Sequence, residues 1–180
     1  MNLKIYKIIS IIGVFLLAFP FHFLYDWCPN AIFSIFFPVN ESIWEHMKLL
    51  YTSILLYEII EYIIFKIKNI KVNNFIFASI LVSIISIPIY LIMFLPIYYK
   101  IGENMFIALT IMLITFIIIE NIKFKLFNYK KLNLEILGII LIIITYVVIG
   151  ILTYYPPHSN LFFDPLNEIY GINKKIIKLN

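Results

Sequence analysis

The chain has 180 residues, 63% of them hydrophobic and 13% charged, with a mean hydropathy of +0.99. Soluble domains are nearer half apolar and a quarter charged, so the composition excludes a soluble globular protein and requires lipid around the apolar surface. All 14 basic residues are lysine, and a net charge of +4 built that way in an Ile-, Asn- and Tyr-rich chain reflects AT-rich coding and membrane topology rather than a nucleic-acid partner.

A helix needs about 20 mostly apolar residues to cross a ~30 Å hydrocarbon layer. Five segments qualify in chain order, at about 4–24, 44–65, 75–99, 104–121 and 134–155. Lys4 and Lys7 precede the first run, as in a signal peptide, but Ala18-Phe19-Pro20 is a poor cleavage site, so this run is read as an uncleaved first span. Residues 31–38 are too few to cross and read as an interfacial or re-entrant piece. In the third span Pro88 should kink the helix and Pro96 should end it. Pro156 and Pro157 stop the fifth. The tail, 156–180, is expected at the interface, with an amphipathic helix over Leu166–Leu179 despite Gly171. Cys28 is the only cysteine, so no intramolecular disulfide is possible. The fold expected is an all-α membrane protein, one domain over 1–180: a five-helix bundle with an extracytoplasmic cap made by the segment between helices 1 and 2 and by the C-terminal tail.

Lysines set the orientation. Nine of them (Lys4, Lys7, Lys66, Lys68, Lys71, Lys123, Lys125, Lys130 and Lys131) fall at one side of the five spans, and Lys48, Lys100 and the tail lysines at the other. The nine-lysine side is expected to be cytoplasmic, with the N-terminus inside and the C-terminus outside. His22, His46 and His158 then share the outer face with Asp26, Glu41, Glu45, Glu103, Asp164 and Glu168.

That convergence is the feature that speaks to chemistry. His22 and Asp26 are four apart, so on a helix they share a face and the carboxylate can orient the imidazole. Asn40 is the expected N-cap of the second span. Glu41 and Glu45 then lie on one face and His46 on the next, types that ligate a divalent ion or activate water beside it. The prolines hold His158 on a stiff strap, and Asp164-Pro165 has the form of an N-cap followed by Pro at N1. The candidate metal set is therefore His22, His46 and His158 with Asp26 and Asp164, holding Zn2+ or another divalent ion, with Glu45 or Glu41 as general base. Each residue also has a plainer role: Glu41 on the helix dipole, Glu45 paired with Lys48, Asp164 as a cap. Glu58 and Glu61 fall near the inner end of the second span, where pairing with Lys66 and Lys68 would satisfy them, and Glu120 is expected to pair with Lys123. No HExxH, GxSxG, Walker or CxxC pattern occurs, and Ser42-Ile43-Trp44-Glu45-His46 has only the outline of an HxxEH motif.

FHFLYDW at 21–27, FPVNESIWEHMKLLY at 37–51 and PPHSNLFFDP at 156–165 resemble a family of small multi-pass bacterial membrane proteins of unknown function. The resemblance implies a bacterial cytoplasmic-membrane protein and assigns no residue a role. Three functions fit the pattern. The first is a metal-dependent hydrolase acting on a lipid or interfacial peptide at the outer face. The second is a non-catalytic accessory subunit of a membrane-protein partner, its polar cluster a structural network. The third is a transporter that would need a homodimer, since the chain has no repeat.

Overall fold

The computed structural model describes residues 3–172. It contains helices α1 (Leu3–Trp27), α2 (Ala31–Phe36), α3 (Ile43–Ile67), α4 (Phe75–Ile101), α5 (Met105–Phe127) and α6 (Glu135–Tyr154), then strands β1 (Phe163–Asp164) and β2 (Ile169–Tyr170). The chain is an all-α membrane protein apart from that two-stranded hairpin. Four helices, α1, α4, α5 and α6, are long and apolar enough to cross a membrane. The expected second span is the exception: α3 spans 25 residues, yet it carries Glu45, Lys48, Glu58, Glu61 and Lys66. Its length is kept and four of those five charges are hidden, because 15 of its residues, Glu45, Lys48, Glu58 and Glu61 among them, are buried. α3 is the central helix, packed against α1 and α4, while α5 closes on α1 and α4, and α6 lies outside on α4.

Lipid tails are as apolar as leucine, so cohesion here comes from close packing and polar contacts rather than from apolar burial. Gly13 lets α1 approach α3 until a Cβ would overlap the Tyr57 ring. Val14, Ala18, Met47, Leu50, Ile54 and Phe116 fill the space between α1, α3, α4 and α5.

Three expectations change. α4 runs through both Pro88 and Pro96 to Ile101; in lipid a helix is the one way to satisfy neighbouring backbone groups, so a proline costs a bond without ending the span. Ser42, not Asn40, caps α3, its hydroxyl accepting from Glu45 N at 3.3 Å. Asn40 instead accepts from Ser42 N at 2.9 Å and donates to Gly171 O at 2.8 Å. The amphipathic helix expected from Leu166 is replaced by the β1–β2 hairpin over its first residues, and the rest of that stretch lies outside the described residues. Glu168 and Gly171 both take positive φ, which breaks a helix. At Gly171 a side chain would also strike the Thr153 carbonyl.

The ends of the helices group as the lysine pattern requires. Lys7 on α1 reaches Asn121 near the end of α5. Asn74 at the start of α4 bonds the backbone of Leu126, Lys130 and Leu132. At the opposite end, α2, the 37–42 segment and the hairpin meet the start of α3: Trp44 N donates to Leu161 O and Ile172 N to Thr153 O.

Candidate functional site

At that opposite end His22, from the last turns of α1, and His46, from the first turn of α3, bring their Nε2 atoms to 3.3 Å. Glu41, from the turn before α3, places Oε2 at 3.5 Å from each. A triangle with these sides has its equidistant point about 2.0 Å from every corner, the distance at which Zn2+ is bound by imidazole nitrogen and carboxylate oxygen. Among the described residues this is the one cluster of His, Cys, Asp and Glu able to hold a metal ion. Three protein ligands leave a fourth tetrahedral position open.

Local structure explains the triangle. The Ser42 cap starts α3 so that His46 stands one turn on, and its Nδ1–H donates to Ser42 O at 2.9 Å. A carbonyl can only accept, so the Nε2 lone pair of His46 faces Glu41 and His22. Glu41 is set by its neighbours. The hydrogen bond from His22 holds its carboxyl below the ordinary carboxylate value, against burial. Behind it, burial pushes the Asp164 carboxyl up, but donors from the Asn167 side chain and the Leu166, Asn167 and Glu41 backbones outweigh this and keep it below its usual value.

The other expected residues fall elsewhere. His158 is exposed and stacks on Tyr170, centroids 4.5 Å apart and planes 3° from parallel, so the proline strap delivers it to the hairpin and not to the triangle. Asp164 is fully buried and caps the β1–β2 turn: Leu166 N, Asn167 N and Asn167 Nδ2 donate to it at 2.8, 3.2 and 2.9 Å. It reaches the cluster only through Glu41. Asp26 is exposed and does not orient His22, whose buried Nδ1 has no hydrogen-bond partner among the described residues. Glu45 points away, to Lys48 Nζ at 2.5 Å and Val39 N at 3.0 Å. Lys48 goes on to donate to Ser34 O and Thr153 Oγ1, so this buried pair fastens α2, α3 and α6 together.

Glu103 is the residue that sequence reasoning left outside the site. It sits in the short link between α4 and α5 and, with His22, Glu41 and His46, lines a cavity of about 260 Å³. It has no hydrogen bond or ion pair to any described residue. Only its grouping with the histidines at one end of the bundle was readable from the sequence.

A second polar cluster lies within the helices towards the lysine-rich end. Lys123 of α5 is fully buried and binds Glu58 Oε1 at 2.6 Å, Glu61 Oε2 at 2.9 Å and Glu120 Oε1 at 2.9 Å. Ser79 donates to Glu58 at 2.7 Å, and Ser10 donates to Glu61. Glu58 and Glu61 therefore do not pair with Lys66 and Lys68, whereas Glu120 meets Lys123 as expected. The difference arises because α5 extends to Phe127, past the expected end at residue 121, and carries Lys123 into the bundle.

Comparison with curated proteins and with solved structures gave no match. A family model does match residues 1–172, and the chain belongs to that family, a family of unknown function (DUF6512).

Proposed function

We propose that the chain is a membrane-embedded, metal-dependent hydrolase, with His22, His46 and Glu41 holding a divalent ion, most naturally zinc, at the outer face of a bacterial cytoplasmic membrane. The observation that carries this reading is the triangle of Nε2, Nε2 and Oε2, whose dimensions suit a tetrahedral ion and whose histidine tautomer is set by Ser42 O. An ion with three protein ligands lowers the pKa of a bound water towards 7 and polarises a carbonyl. Glu103, which lines the same cavity and makes no hydrogen bond or ion pair to any described residue, is the group we assign to take the water's proton. Glu41 is engaged as a ligand, and Glu45 is engaged by Lys48.

The accessory-subunit reading is favoured by a different observation: the Glu45–Lys48 pair and the Asn40–Gly171 bond show that much of the polar chemistry near the site fastens segments together. A single experiment separates the two. Hydrolysis of a medium-chain nitrophenyl ester by detergent-purified protein should be abolished by a chelator, restored by zinc, and absent in His46→Ala. Zinc-loaded protein that hydrolyses no acyl ester, or a chelator-resistant rate, contradicts the hydrolase.

A further inference from the structure

The cavity beside the triangle has an unusual distribution of polarity. His22, Glu41, His46 and Glu103 lie at its polar end, and elsewhere Tyr90 is the one polar side chain among its lining residues. Its walls are Ala18, Leu50, Ala108, Leu109 and Met112, from α1, α3 and α5. Phe19, Phe23 and Met105 also line it and are 42%, 47% and 77% exposed, so the cavity opens sideways between α1 and α5 rather than only upward. From Met105 to Met112 it follows α5 for about 10 Å, roughly two-thirds of a ~15 Å leaflet.

We infer that this cavity takes the acyl chain of a membrane lipid bearing an uncharged or amine-containing headgroup, entering between α1 and α5 with its carbonyl at His22, Glu41 and His46. The role of the carbonyl rests on the metal reading above; the seat of the chain rests on the cavity. A peptide is excluded by its backbone. Each N–H and C=O it brought inside would need a partner, the helix backbones lining the walls are engaged within their own helices, and Tyr90 alone cannot serve them. An acyl chain has no such groups.

Charge selects the headgroup. Glu41 and Glu103 line the cavity. Among the described residues no lysine lines the cavity. An anionic headgroup therefore meets carboxylates and no cationic side chain in the lining, which disfavours it against an amine or hydroxyl headgroup. In this pose the water oxygen bonds to the acyl carbon while the bond from that carbon to the leaving oxygen or nitrogen breaks. Glu103 takes the water proton and passes it to the leaving group, giving a fatty acid and an alcohol or amine.

The test uses full-length protein in nanodiscs with two photoactivatable probes, a diazirine-tailed zwitterionic lipid and an apolar diazirine peptide, with zinc measured in the same samples. The lipid probe should label Leu50, Leu109 or Met112. Filling the wall with Ala108→Phe should lower that labelling about tenfold, the equivalent of 1.4 kcal/mol of lost fit, and leave zinc stoichiometry unchanged. Leu109→Trp is a second filling variant should Ala108→Phe fail to fold. Labelling confined to the outer faces of α6, or a peptide probe that takes the cavity, overturns the acyl assignment while bound zinc leaves the metal reading standing. Lipid labelling of the cavity in protein that binds no zinc upholds the chain's seat and overturns the carbonyl's.

Discussion

The two polar clusters sit at opposite ends of α3 and are built on opposite principles. Lys123 is fully enclosed, its ammonium contacts three carboxylates, and serines from α1 and α4 complete the shell. His22, Glu41 and His46 are each only partly buried, have ligand atoms converging on a common point, and open onto a cavity. Glu58 is 12 residues from His46, about 18 Å along the helix, so the two clusters are not one site. A closed ion cluster holds helices together; an open one with converging ligand atoms beside a cavity is suited to receiving something.

If that contrast is right, the largest effect belongs to the closed cluster. Lys123→Met strands three carboxylates in the bundle and should destabilise the protein by about 3–5 kcal/mol or prevent folding, read as a fall in melting temperature in detergent. Adding Glu58→Gln and Glu61→Gln should recover part of the loss. A wild-type melt for the single variant would show that the cluster does not hold the bundle.

At the open cluster the expected loss is of metal and not of fold. His46→Ala and Glu41→Gln should each weaken zinc binding by about 100-fold or more, while the metal-free melt moves by less than about 1 kcal/mol because both groups are partly in solvent. Equal destabilisation at both ends would erase the distinction.

The hairpin that backs Glu41 gives smaller effects. Gly171→Ala forces a side chain into a left-handed conformation against the Thr153 carbonyl and should cost about 1–3 kcal/mol, with hydrogen exchange rising first over residues 163–172. Asp164 sharpens the pH behaviour. Its folded value lies below the ordinary 3.8, so its contribution is complete above that value and is lost as pH falls through the depressed one. Asp164→Asn should therefore flatten the acid limb of a stability profile below about pH 4 and leave its neutral region parallel to wild type. An unchanged acid limb would remove Asp164 from the support of Glu41. His158→Ala, which gives up only a stack on Tyr170, should change stability by about 0.5 kcal/mol or less and leave zinc content intact.

Helix positions were legible because apolar runs of membrane length leave few alternatives, and each expected segment has its helix within a few residues of the ends, apart from a six-residue overrun in α5. The pairing of His22 with His46 was legible too, since the topology puts both at one end. What could not be read was direction. Glu45 and His46 are adjacent in sequence, yet one turns to Lys48 and the other to His22. Asn40 and Ser42 both suit an N-cap, and only packing against Gly171 decides between them. Lys123 looked like a topology signal because sequence counts charges without showing which face of a helix they occupy. His158 lies at the same end of the bundle as His22 and His46, but sequence carries no record that Tyr170 stacks beneath it.

The most direct test of the central claim is metal content by mass spectrometry on folded, detergent-purified protein never exposed to chelator, comparing wild type with His22→Ala, His46→Ala, Glu41→Gln and His158→Ala. The expected result is about one zinc per chain in wild type and His158→Ala and none in the other three, as a site with His22, His46 and Glu41 as its three protein ligands requires. Wild-type protein without stoichiometric metal, or loss of the ion in His158→Ala, would contradict the site.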